Sequence, residues 1–172
     1  AWVEADEDRL LRLSGLVKGG RDDLDIKVSQ LVDRNKRLEK ELQELKSRLA
    51  SAAGQDLAAQ ALDVGGVKVL AARLEGADAK GLRETLDQLK NKLGSAVVVL
   101  ATETDGKVSL VAGVTKDLTG RMKAGDLIKA VAEKVGGRGG GRPDMAQAGG
   151  TDPAGIPAAL DLVDDWVRGN LA

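Results

Sequence analysis

Residues 136–150 hold seven glycines in a stretch of fifteen, and helix-forming sequence bounds them on both sides. A run this rich in glycine gives up so much backbone entropy on ordering that it is a liability inside a packed element. It therefore predicts a loop. The stretch reads Gly136-Gly137-Arg138-Gly139-Gly140-Gly141-Arg142-Pro143-Asp144-Met145-Ala146-Gln147-Ala148-Gly149-Gly150. Successive glycine amides can approach an anion with no side chain in the way, and Arg138 and Arg142 add planar guanidinium forks suited to phosphate oxygens. The pattern is neither GxGxxG nor the phosphate loop ending in Gly-Lys-Ser/Thr, so nucleotide cradles of those kinds are disfavoured. A plain glycine linker is the competing reading. Pro143, Asp144, Met145 and Gln147 are too specific for a spacer.

Composition removes whole classes of chemistry. The chain has 172 residues, enough for one or two domains, and contains no Cys, His, Phe or Tyr. Without Cys there is no disulfide, thiol nucleophile or thiolate-held metal; without His there is no Ser-His-Asp triad and no imidazole ligand. Neither metal nor cofactor is expected. The aromatics are Trp2 and Trp166, which excludes a sheet that stacks bases on Phe and Tyr. Lys and Arg total 26 against 27 Asp and Glu, so a uniformly basic nucleic-acid protein is excluded but a local basic patch is not. No apolar run reaches the ~18 residues of a membrane span and no charged-then-apolar leader opens the chain, which predicts a soluble, cytoplasmic protein without membrane contact. The start, Ala1-Trp2-Val3, has no Met and enters helical sequence directly, as in a piece cut from something longer.

The first third predicts a helical arm over residues 1–54. Val3, Leu10, Leu13 and Val17 recur at helical spacing behind an acidic first turn, and Lys18-Gly19-Gly20-Arg21 ends that helix. From there Leu24, Val28, Leu31, Asn35, Leu38, Leu42, Leu45 and Leu49 alternate steps of four and three, the seam of a coiled coil with Asn35 as its register-fixing polar residue. An antiparallel hairpin within the chain is the simpler way to cover the seam. A parallel homodimer is the alternative, supported by Arg34 facing Glu39 and Glu41 facing Lys46 of a second copy.

Residues 55–172 read as an α/β or α+β domain, a small mixed sheet covered by helices. Residues 64–74 predict a strand entered through a glycine turn, 79–93 an amphipathic helix, and 96–102 a strand covered on both faces. Thr104-Asp105-Gly106-Lys107 predicts a hairpin turn with its return strand over 108–114. Helices follow over 124–135 and 156–168. Basic residues gather before Pro143 (Lys107, Lys116, Arg121, Lys123, Lys129, Lys134, Arg138, Arg142) and acids after it (Asp152, Asp161, Asp164, Asp165). The basic zone points to a phosphate backbone.

Gly139-Gly140-Gly141-Arg142-Pro143-Asp144-Met145-Ala146-Gln147-Ala148-Gly149-Gly150 resembles the signature of the C-terminal domain of bacterial alanyl-tRNA synthetases, and the leucine-rich arm leading into an α/β domain is similar too. A related domain accompanies the DHH phosphoesterases, where a His contacts substrate phosphate; Arg142 stands about where that His would be, which favours the synthetase. The resemblance implies a non-catalytic appendage that docks the outer corner (elbow) of tRNA-Ala and helps the upstream aminoacylation and editing domains share one tRNA. It implies no catalytic residue, metal or cofactor in this piece. The RNA-contacting residues expected are Gly136, Gly137, Arg138, Gly139, Gly140, Gly141, Arg142, Gln147, Gly149 and Gly150, with Lys116, Arg121 and Lys123. The other readings are a coiled-coil dimerisation module and the substrate-binding domain of a DHH-type phosphoesterase.

Overall fold

The computed structural model describes residues 2–172, including the side chains of all of these except residues 47 and 49–55. The chain divides into two compact units, Ala1–Leu45 and Lys46–Ala172. The sequence suggested a break at 54/55 instead.

The first unit holds α1 (Trp2–Val17) and the N-terminal part of α2 (Leu24–Ala58). Lys18, at φ 53°, turns the chain out of α1, and the Gly19 amide closes on the Ser14 carbonyl at 3.0 Å. The heptad residues line one side of α2 as expected, but of those with described side chains only Leu24 is half-buried. Val28, Leu31, Leu38, Leu42 and Leu45 remain 45–57% exposed. On α1, Leu13 and Leu16 are 47% and 79% exposed. Asn35 is turned to solvent and donates to Glu39 at 3.0 Å. Leu49 lies outside the described side chains. The intramolecular hairpin therefore does not close over the seam. Length accounts for the far part of the seam, because at ~1.5 Å per residue a helix of 16 residues reaches only about half of one of 35. It does not account for Val28 and Leu31, which lie within that reach.

The second unit is built on a six-stranded sheet in the order β1-β2-β3-β4-β6-β5. Its strands are β1 (Leu62–Val64), β2 (Val67–Arg73), β3 (Ala96–Thr104), β4 (Lys107–Val114), β5 (Arg138–Gly141) and β6 (Met145–Gly150). Only β2 and β3 run parallel, joined through α3 (Ala79–Leu93); the other pairs are antiparallel. Gly65 and Gly66, at φ 59° and 85°, break the expected strand at its start and fold β1 back on β2. β3 is apolar without alternation because both its faces are covered. Ala96, Val98 and Leu100 meet Leu82, Leu86 and Leu89 of α3, while Val97, Val99 and Ala101 join the core beneath α4 (Ala124–Glu133) and α5 (Ile156–Leu171).

The largest departure from expectation is the glycine stretch. Rather than a loop over 136–150, it forms the hairpin β5–β6, and β6 lies inside the sheet between β4 and β5. The entropy argument fails here because close packing demands glycine. A Cβ on Gly141 would stand 2.5 Å from Ala146 Cα, and one on Gly150 would stand 2.5 Å from Val135 Cγ2. On Gly139 a Cβ would run into Ala148, and on Gly137 into the Gly149 carbonyl. α4 rests directly on this backbone, with a Cβ on Gly125 coming within 3.2 Å of the Gly141 carbonyl. Gly139→Ala should therefore overpack the hairpin, costing about 1–3 kcal/mol and lowering the melting temperature by roughly 3–10 °C in calorimetry.

Helix α3 starts from a side-chain cap: Asp78 accepts from the Gly81 amide at 2.8 Å. That bond, with help from Lys46 at 3.2 Å, holds the Asp78 carboxyl below its ordinary value. Its contribution is thus present above the unfolded-state pKa and is lost as pH falls through the lower folded value. Asp78→Ala should cost about 1 kcal/mol near neutrality. Denaturation across an acid series should show the gap between variant and parent closing only below the usual carboxylate range.

Candidate nucleic-acid interface

Four cations of this domain stand around the turn of the glycine hairpin. Arg142-Pro143-Asp144 reverses the chain, with the Arg142 amide bonded to the Met145 carbonyl at 2.8 Å. The turn is fixed by three other elements. The Ala124 amide at the start of α4 donates to the Pro143 carbonyl at 2.8 Å, and the Val114 amide at the end of β4 donates to the Asp144 carbonyl at 3.1 Å. Lys90 of α3 reaches the same Asp144 carbonyl with its Nζ at 3.1 Å. Lys123 precedes Ala124 and is exposed, so it stands beside the turn. Lys116 shares a polar groove with Lys90 and Asp144. Arg142, Lys90, Lys116 and Lys123 are thereby gathered from four parts of the chain.

The cluster contains moderating acids: Asp87 lines the same groove as Lys90 and Lys116, and Asp144 sits in the turn itself. Arg142 Nε lies 3.2 Å from Asp144 Oδ1, and the Arg142 side chain remains 73% exposed. A surface pair of this kind contributes little to stability and opens readily to a better anion. It aims the guanidinium without consuming it.

Other expected residues go elsewhere. Arg121 donates to the Leu171 carbonyl at 3.1 Å, at the last turn of α5, and serves the fold there. Arg138 opens β5 at the far end from Arg142 and belongs to the face of the sheet that carries α3. Gly136, at φ 62°, turns the chain into the hairpin. Gly137, Gly139, Gly141 and Gly150 stand where a Cβ would clash, and the Gly137 amide is taken up by the Ala132 carbonyl at 2.9 Å. Gly140, Gly149 and Gln147 share the α3 face with Arg138. Among the described residues, no group of His, Cys, Asp or Glu is placed to hold a metal ion.

Two cations escaped the sequence reading, Arg83 and Lys90. They lie seven residues apart on α3, beside the buried stripe of Leu82, Leu86 and Leu89. Arg83 Nη2 donates to Gln147 Oε1 at 2.7 Å, and Lys90 meets Asp144. Seven helical residues span ~10.5 Å and three strand residues ~10 Å, so α3 and β6 run antiparallel with matched repeats. The legible signal was a basic residue at each end of a helical flank. Its meaning depended on β6 being a strand.

Comparison with known proteins adds the family. Residues 66–169 match the DHHA1 domain model. Over all 172 residues the chain is 52% identical to the alanine–tRNA ligase of Thiobacillus denitrificans, covering 20% of that protein. Over 168 residues it is 58% identical to the alanine–tRNA ligase of Pseudomonas fluorescens, covering 19% of it. The chain thus spans about a fifth of the length of the curated relatives it matches. Among solved structures, the C-Ala domain of Aquifex aeolicus alanyl-tRNA synthetase superposes with a TM-score of 0.59 at 30% identity, covering 98% of that domain and 63% of this chain. The chain belongs to the DHHA1 domain family, in the form that alanyl-tRNA synthetases carry as their C-Ala domain.

Proposed function

We propose that this chain is a non-catalytic tRNA-binding appendage of a cytoplasmic alanine–tRNA ligase, docking the outer corner of tRNA-Ala beside the upstream domains of the same enzyme. The observation that carries the reading is the convergence of Arg142, Lys90, Lys116 and Lys123 on a rigid hairpin turn. Arg142, Lys116 and Lys123 are exposed and Lys90 is half-buried, and because the turn they surround is fixed by backbone hydrogen bonds they can meet phosphates without first ordering a loop. With two tryptophans as the whole aromatic complement, recognition rests on shape and backbone more than on stacking between rings. In this role the domain keeps one tRNA attached while its acceptor end passes between the aminoacylation and editing sites. The names of the relatives and the position of Arg142 in the glycine motif both support the synthetase over a phosphoesterase.

The test is a titration of tRNA-Ala against the parent chain and against Arg142→Ala and Lys123→Ala. Each substitution should weaken binding by roughly 5–10-fold, as expected for an exposed charge-assisted contact, while leaving the melting temperature in place. Parent-like affinity in both would remove the hairpin turn from the interface.

A second reading has its own observation. The uncovered heptad stripe on α2 is an apolar face that a second copy could close, with Asn35 paired to Asn35 only in a parallel, in-register dimer. Replacing Leu31 and Leu38 by Glu separates the two. Light scattering should show any self-association abolished while tRNA affinity persists. Loss of RNA binding with unchanged mass would instead assign the arm to RNA.

A further inference from the structure

The hairpin glycines fall into two kinds. Gly139, Gly141 and Gly150 face α4 and α5 and are closed in by neighbouring atoms. Gly140 and Gly149 face the α3 side and are not. A Cβ on Gly140 would meet nothing within 4 Å, and one on Gly149 would find only the Val108 carbonyl, at 3.8 Å. Neither residue is among those with positive φ. Neither packing nor backbone conformation within the chain calls for glycine at these positions, although each glycine in a strand lowers stability.

Their neighbours define what the vacant space faces. Across β4, β6 and β5 one row reads Ser109, Gly149, Arg138 and the next Val111, Gln147, Gly140. Bare backbone therefore alternates with Arg138 and Gln147. A groove of about 280 Å³ is lined by Ser109, Gly149 and Arg138 of the first row and by Val111 and Gln147 of the second, and is walled by Ala79 and Leu82 of α3. Gly140, the register partner of Gln147, lies outside its lining.

The hydrogen-bonding character of this groove follows from Arg83. A guanidinium has donors and no acceptor, so the end of the Gln147 amide that it holds at 2.7 Å must be the oxygen. The remaining end is the NH2 group, a donor. Arg138 is a donor as well. Ser109 can donate or accept, so a ligand suited to this groove is one that presents adjacent acceptors to Arg138 and Gln147 along one edge of a flat body lying over the bare backbone. A backbone phosphate has the acceptors but not the flat body. Adenine sets an N6 donor beside N7, whereas the N7/O6 edge of guanine is acceptor throughout.

We propose that this groove is a guanine-binding subsite of the RNA interface. Gly149 leaves room for the ring, and Arg138 and Gln147, the latter oriented by Arg83, read the acceptor edge. The assignment rests on the RNA-binding reading above. Arg83 acts through Gln147 and is a positioning residue.

The experiment compares tRNA transcripts made with guanosine or with 7-deazaguanosine, which lacks the N7 acceptor. Each is titrated against the parent chain, Gly149→Val and Gln147→Glu, with melting temperatures recorded alongside. Gly149→Val should melt at or above the parent temperature and bind guanosine tRNA about tenfold more weakly. Gln147→Glu keeps its contact with Arg83 as an ion pair, replaces the donor by an oxygen, and should lose a similar factor. The 7-deaza transcript should bind the parent about fivefold more weakly, and the two variants should no longer distinguish the transcripts. Full affinity in a stable Gly149→Val chain would overturn the subsite while leaving the RNA reading intact. A markedly lower melting temperature for that variant would overturn the claim that the space is vacant. Weakened variants combined with a parent indifferent to 7-deazaguanosine would assign the groove to phosphate and overturn guanine. A parent chain that binds no tRNA would overturn the RNA reading and this subsite with it.

Discussion

The approach of bare backbone to backbone in the β5–β6 hairpin, and of α4 onto it, is the constraint on which this domain depends. A strand with side chains on both faces could not lie as close to Ala146 and Ala148 as β5 does, nor could α4 settle on the Gly141 carbonyl. Because that contact is made, the hairpin becomes part of the sheet. Its turn then falls where the ends of β4 and α3 and the start of α4 can all bond to it. The cations at those places are gathered as a result of the packing. A flexible loop with the same composition would carry Arg142 with no fixed relation to Lys90 or Lys123.

The elements written in side-chain periodicity were legible without the structure. Residues 79–93 match α3 at both ends, and the apolar run from Ala96 and the Asp105-Gly106 turn locate β3 and β4. The hairpin was not legible for a physical reason. Strand propensity is carried by side chains that fit a half-buried surface, and β5 has three glycines in four residues. What makes it a strand is the packing of Gly139 and Gly141 against Ala148 and Ala146, a contact that exists only once the hairpin has closed and that no side-chain pattern in β5 announces. The Lys90 and Arg83 contacts depended on the same hidden strand. The heptad pattern shows the converse case: local sequence specified α2 as a helix, but a seam only states that a partner is needed. It does not name one.

Function in this domain follows from a division along the sheet. The β5–β6 end carries the basic hairpin turn and the donor-lined groove, while α5, which packs against β2 and β3, carries Asp161, Asp164 and Asp165. A net charge of −1 thus conceals opposite polarities on one scaffold. On the proposed tRNA-binding reading, such an arrangement would draw an RNA backbone to one end and keep it off the other, giving orientation without a large overall charge.

The most direct test of this account is the salt dependence of tRNA-Ala affinity, measured as log K against log salt concentration. If the four cations at the hairpin turn each meet a phosphate, the slope should be about −3. A slope near zero, with binding intact, would contradict the account.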